Sequence, residues 1–156
     1  MMDKKEQAKK VYETLCIAID NRKWQCTRHD DTMVVTFGVA SEDIGMNFIL
    51  AVDAERQLIR LLSPMPFDIV EEKRIDLAIA TCVATNRIID GSFDYDLSDG
   101  KIVFRLTAPF MGCEIGEKLL QYMISLSCAI VDNFNDKFAD INDGKLTIAD
   151  FLASEA

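Results

Sequence analysis

The sequence predicts an α+β domain, with helices packed on one face of an antiparallel sheet of five or six strands. Three observations predict this class. The 156 residues, 49% of them hydrophobic and 28% charged, suit one domain over residues 1–156. The hydrophobic period changes several times between helical and alternating. No linker, repeat or low-complexity tract divides the chain. The predicted order is helix, three or four strands, helix, two strands, helix and a short tail helix.

The first half of the chain predicts a helix and a strand meander. Residues 3–21 place apolar side chains at helical spacing, from Ala8 to Ile19. Beyond them, residues alternate as in half-buried strands. The positions expected on the buried face are Met33, Val35, Phe37, Val39, Met46, Phe48, Leu50 and Val52. Pro64 and Pro66 end the meander, because proline cannot donate to a sheet ladder.

The last strand of the meander is apolar on both faces. Leu58 and Leu62 lie opposite Ile59 and Leu61, so we expect both faces to be covered. If a groove lies beside this strand, the residues expected to hold a partner segment are Leu58, Leu62, Met65 and Phe67. The alternative is that all four belong to the core.

The second half of the chain begins with a predicted helix over residues 70–87. Its apolar positions are Ile75, Ala78, Ile79, Cys82 and Val83. A hairpin follows over residues 91–108, with its turn at Asp99-Gly100. The side chains expected on its buried face are Phe93, Tyr95, Leu97, Ile102, Phe104 and Leu106. Asp94 and Asp96 lie on the opposite side, where we expect a solvated acidic edge; the alternative is a functional edge that meets a basic peptide.

The long helix predicted over residues 113–140 has more apolar surface than one contact needs. At 100° per residue its apolar positions spread over roughly 220°, wider than the single face of an ordinary surface helix. Either the first and last helices cover the excess, or a second copy of the chain does. For a homodimer, the expected contacts are Met123, Ile130 and Phe134.

Residues 139–152, "ADINDGKLTIADFL", resemble a calcium loop at first sight. An EF-hand loop needs side-chain oxygens at positions 1, 3 and 5 and glycine at position 6. With Gly144 at position 6, Ala139 and Ile141 occupy positions 1 and 3, and neither offers an oxygen. We therefore predict no metal site. Gly144 is expected to end the long helix, and Thr147 to begin a tail helix over residues 147–154.

Composition and motifs narrow the functional classes. The net charge of −9 disfavours nucleic-acid binding. The sequence shows no secretion signal and no apolar stretch near the ~20 residues of a membrane span. Five scattered cysteines predict reduced, buried thiols in a cytoplasmic protein. No GxSxG, Walker or GxGxxG pattern occurs, so we predict no catalytic residue, no cofactor and no enzyme activity.

Two stretches resemble the YbjN-like family of bacterial proteins, which are labelled sensory-transduction regulators. They are "RQLIRLLSPMPFDI" and, one helix later, "DGSFDYDLSDGKIVFRLTA". The resemblance covers about residues 47–138. It implies a fold like that of type III secretion chaperones, a dimer, and a non-enzymatic binding role. It assigns no catalytic residue.

The sequence thus leads to two functional hypotheses. The first is a cytoplasmic, homodimeric protein-binding module, chaperone-like or regulatory, which holds a client on its sheet edge and apolar grooves. The acidic surface favours basic clients. The second is a regulatory domain that senses a small molecule between sheet and helices. An open apolar patch would favour the first, and a closed pocket with convergent polar groups the second.

Overall fold

The computed structural model describes residues 2–156 as four helices and one six-stranded antiparallel sheet, which confirms the predicted α+β class. In chain order the elements are α1 (Lys4–Asn21), β1 (Thr27–His29), β2 (Val34–Val39), β3 (Met46–Asp53), β4 (Leu58–Pro64), α2 (Arg74–Arg87), β5 (Ser92–Asp96), β6 (Lys101–Pro109), α3 (Glu117–Asn142) and α4 (Ile148–Ser154). Within residues 2–156, no helix combines the length and the apolar character needed to cross a membrane.

The strands lie in the order β1-β2-β3-β4-β6-β5. β1 to β4 form a meander, and the β5–β6 hairpin adds to it through β6. The register aligns Leu50, Leu61 and Leu106 across the three central strands. β4 therefore lies inside the sheet with a neighbour on each side.

Strict alternation gives the sheet two different faces. Along β3, residues at every second position from Met46 to Val52 are buried, and the residues between them are more exposed. The helices contact strands on the buried side, which we call the inner face. We call the opposite side the outer face. Helices on one face are therefore enough to account for the alternating strands.

An aromatic cluster joins the hairpin to the last two helices. The ring of Phe93 lies 5.3 Å from Phe104, and 5.1 Å from Phe138 on α3. Phe151 of α4 extends the cluster, 6.4 Å from Phe138. The tail helix is thus held to the domain by a fully buried phenylalanine.

Helix α2 buries a different side from the one that its isoleucines indicate. Ile75 and Ile79 are 65% and 41% exposed. The buried positions are Leu77, Ala80, Thr81 and Ala84. The small side chains of Ala80 and Ala84 let the helix lie close to β5, and this close approach decides which side turns inward.

The long helix α3 is covered mainly by its own chain. Met123 and Phe134 are 2% and 3% exposed in the shared core, and Ile130 is half-buried against it. Because Met123 and Phe134 face the interior, they are not available as dimer contacts, contrary to the sequence-based expectation. Of the wide apolar arc, Leu119 and Tyr122 remain exposed.

The end of α3 confirms the predicted glycine cap. Gly144 has a left-handed φ of +76°. Its N–H donates to the carbonyl of Ile141 at 3.2 Å, and the N–H of Lys145 donates to Asp140 at 2.8 Å. This is the Schellman pattern of helix ends. Thr147 then caps α4, because its hydroxyl accepts from the N–H of Asp150 at 3.1 Å.

All five cysteines are free thiols, but they are less buried than the sequence predicts. Cys82 and Cys113 are exposed, and Cys16, Cys26 and Cys128 are partly buried. Cys82 is exposed because α2 turns its other side to the core.

Candidate functional site

The outer face of the sheet carries an apolar surface that no described helix covers. Its residues are Val34, Ile49, Ala51, Leu58, Leu62, Pro64 and Val103, and each is half-buried. Register brings them together, since Ile49 pairs with Leu62 and Pro64 with Val103. We call this set the outer apolar surface. A sheet face in contact with water more often alternates to polar residues, so these positions require another explanation.

The structure places the four predicted groove residues in two different environments. Leu58 and Leu62 lie on the outer apolar surface, where they are half-buried, so within this chain only the inner face of β4 is fully covered. Met65 is only 8% exposed, because it continues the alternation of Ile59 and Leu61 on the inner face, and its N–H donates to the carbonyl of Ile102 at 2.9 Å. Phe67 is half-buried and packs on the core.

Arg60 lies at the centre of the outer face, between Leu58 and Leu62 along β4. Its neighbours across the strands are Ala51 and Thr107, neither of which is charged. Its Nε is buried and has no hydrogen-bond partner. Within residues 2–156 the side chain forms no ion pair.

The other arginine of the outer face differs from Arg60. The Nε of Arg105 lies 3.0 Å from a carboxylate oxygen of Asp94 on the neighbouring strand β5. Both side chains are well exposed, so this is a surface ion pair with little net energy. It leaves Arg60 as the arginine of this face without a carboxylate.

The two edges of the sheet offer only short stretches of free backbone for strand addition. At the β5 edge, the N–H of Phe93 donates to the hydroxyl of Thr85 on α2, at 2.9 Å. At the other edge, β1 has three residues and pairs only with Val34–Thr36 of β2. A shallow groove opens beside the rest of β2, between Cys26, Gly38 and Ile49. This groove is therefore the open part of the β2 edge, where residues 37–39 have no strand from residues 2–156 on that side, and it adjoins the outer face.

A second cleft lies between α1 and the β1–β2 turn, with a volume of about 600 Å³. The hydroxyl of Tyr12 donates to Asp30 there, at 2.8 Å. Burial, and this hydrogen bond, raise the pKa of Tyr12 well above its ordinary value. Burial likewise raises the pKa of the Cys16 thiol, although Tyr12 and Arg28 act in the opposite direction. Tyr12 and Cys16 are thus neutral at neutral pH, in a cleft that also holds charged residues such as Arg28 and Asp30 and the exposed Ile17.

Metal-binding residues are not clustered in the described part of the chain, where no group of three or more His, Cys, Asp or Glu could hold an ion. The side chain of Asn142, in the segment that resembles a calcium loop, is engaged elsewhere. Its oxygen accepts from the N–H of Val70 at 2.9 Å, and its amide donates to Asp68 at 3.0 Å.

Comparison with known proteins assigns no role to these surfaces. No protein-family model matches the chain, and no curated protein matches it. The site must therefore be interpreted from its own geometry.

Sequence analysis selected Leu58 and Leu62 but missed Arg60. The signal was present in "LIRLL", because alternation puts Arg60 on the same face as both leucines. The lack of a partner for Arg60 could not be predicted, since it depends on residues of β3 and β6 that are distant in sequence.

Proposed function

We propose that this protein is a non-enzymatic protein-binding module, chaperone-like or regulatory, that holds an extended segment of a client on its outer apolar surface. The observation that carries the proposal is that Leu58 and Leu62 lie on a sheet face without a helix layer. Exposed apolar patches on a folded domain mark interaction sites. The resemblance to the YbjN-like family, and to the fold of type III secretion chaperones, supports the same role.

Extended peptides suit this surface better than a folded partner helix. Side chains of an extended segment repeat every two residues, which matches the spacing of Leu58, Arg60 and Leu62 along β4. The groove beside β2 continues the surface toward Ile49. The proposal therefore moves the client from the sheet edge to the sheet face.

Selection from a displayed library of short random peptides tests this function. We expect wild-type protein to enrich apolar peptides, and Leu62→Ser to weaken their binding about tenfold or more, because a buried leucine side chain contributes about 1.5–3 kcal/mol. Leu152→Ser, at an exposed leucine of α4, is the matched control and should bind as wild type does. Failure to enrich peptides, or equal binding by Leu62→Ser, would reject the function.

A homodimer belongs to the same proposal, with a different contact from the one that the sequence indicated. Ile75, Ile79 and Cys82 lie on one exposed side of α2, and none is charged. Two copies of a chain with net charge −9 repel, so they meet best through an uncharged stripe. We expect Ile79→Asp to give monomers in sedimentation and Ile17→Asp to leave dimers intact. A monomeric wild type at high concentration would end this part of the proposal.

Small-molecule sensing is the second candidate, and the α1 cleft is the observation that favours it. Tyr12, Arg28 and Asp30 supply polar groups beside Ile17. A ligand bound there should raise the melting temperature of wild type and of Leu62→Ser equally, since Leu62 lies on the outer face. If no compound in a metabolite collection raises it, the candidate fails.

A further inference from the structure

Arg60 offers the most specific chemistry of the outer face. A guanidinium group has five N–H donors in a planar fork, and carboxylates match this fork with two parallel hydrogen bonds. The Nε of Arg60 is one of these donors; it is buried and has no acceptor. A buried donor without an acceptor is costly in a folded protein. Within residues 2–156 the guanidinium of Arg60 pairs with no carboxylate, so its terminal N–H groups, which are not buried, suit a carboxylate brought by another molecule.

Acidic side chains of the same face already have hydrogen-bond partners. Asp53 accepts from the N–H of Arg56 at 2.9 Å, and Asp94 pairs with Arg105. Asp96 accepts from the N–H of Ser98 at 2.8 Å. A second copy that met the first through this face would bring the same engaged carboxylates. A segment of a different protein, with a carboxylate that is not already engaged, suits Arg60 better.

The spacing of residues along β4 predicts the residue pattern of that segment. Leu58, Arg60 and Leu62 project from the outer face at intervals of about 6.6 Å. An extended peptide has the same interval between residues two apart. An acid in such a peptide would lie over Arg60 while apolar side chains two positions before and after it lie over Leu58 and Leu62.

We propose that the outer face recognises an extended peptide segment of the pattern apolar-x-acid-x-apolar, whose Asp or Glu carboxylate binds Arg60. This inference rests on the protein-binding function proposed above and gives that function a specificity. It replaces the expectation of a basic client at this face, which came from the net charge of the whole chain. The local charge at the centre of the face is positive, although the net charge is −9.

The test is peptide selection with Arg60→Met, which keeps a long apolar side chain but removes the guanidinium. Arg105→Met is the matched control, because it removes an arginine of the same face that has its own carboxylate. Wild type and Arg105→Met should enrich peptides with an acid two positions from apolar residues, and Arg60→Met should not. In the tightest peptide, changing that acid to its amide should weaken binding to wild type about tenfold and leave binding to Arg60→Met unchanged.

Several results would overturn the inference. If peptide binding depends on Leu62 but the enriched peptides show no preference for an acid, the proposed specificity is rejected and the protein-binding function remains. An acid preference that persists in Arg60→Met would also reject the proposed specificity. If no peptide is enriched, both proposals fail. If Arg60→Met converts a dimer into monomers, the partner on this face is a second copy and the foreign segment is excluded. Melting curves of both variants confirm that they are folded.

Discussion

Leu61 and Leu62 are neighbours in β4, yet they have opposite roles. Leu61 is fully buried on the inner face, beneath the helices, whereas Leu62 is half-buried on the outer face. Strand alternation places the two side chains on opposite faces. Because helices cover only the inner face, Leu61 contributes more to the free energy of unfolding than Leu62 does. Apolar residues on the inner face are explained by stability. Those on the outer face are not, and this is why we assign them to binding.

The largest expected effect comes from alanine substitution of these two leucines. Leu61→Ala should lower the free energy of unfolding by about 3 kcal/mol, because it leaves a cavity in the core. Leu62→Ala should lower it by less than about 1 kcal/mol, since water already reaches this side chain. Urea unfolding measures both. Equal losses would mean that the two faces are equally important for stability.

A smaller effect on stability is expected from Tyr12, a residue of α1 in the helix layer. Its pKa is raised in the folded state, mainly by burial, so above about pH 10 the unfolded chain loses a proton that the folded chain keeps. Stability should therefore fall as pH rises past about 10. In Tyr12→Phe this fall should be less steep, and at neutral pH the variant should lose about 1 kcal/mol with its hydrogen bond to Asp30. Identical pH dependence in the two proteins would contradict this account.

The smallest effect concerns the charges of the outer face. Arg105→Met breaks an exposed ion pair with Asp94 and should change stability by less than about 1 kcal/mol. Added salt should reduce even this difference, because it screens exposed charges. Thermal unfolding at low and high salt measures it. A loss of several kcal/mol would show that the outer face contributes to stability as much as the inner face does.

Local patterns predicted much of the fold. Alternation placed Phe48 and Phe104 on the buried face, and the glycine at position 144 ends α3 as expected. Each of these depends on residues that are close in sequence.

The remaining features depend on contacts between distant segments. Periodicity shows that α2 has an isoleucine stripe, but only its packing beside β5 shows that Ala80 and Ala84 turn inward. Met65 is buried although it follows the last residue of β4, because the pairing with β6 continues there through the hydrogen bond from its N–H to Ile102. For the candidate site, sequence located both leucines of β4 and missed the unpaired state of Arg60 between them.

The position of β4 inside the sheet has a consequence for biosynthesis. Its first neighbour, β3, precedes it directly, but its second neighbour, β6, follows only after residues 65–100. A nascent chain that has left the ribosome only as far as β4 therefore presents an unpaired apolar strand, which is a template for aggregation. That hazard ends when β6 docks, so translation through α2 and β5 is the interval in which this chain most needs protection.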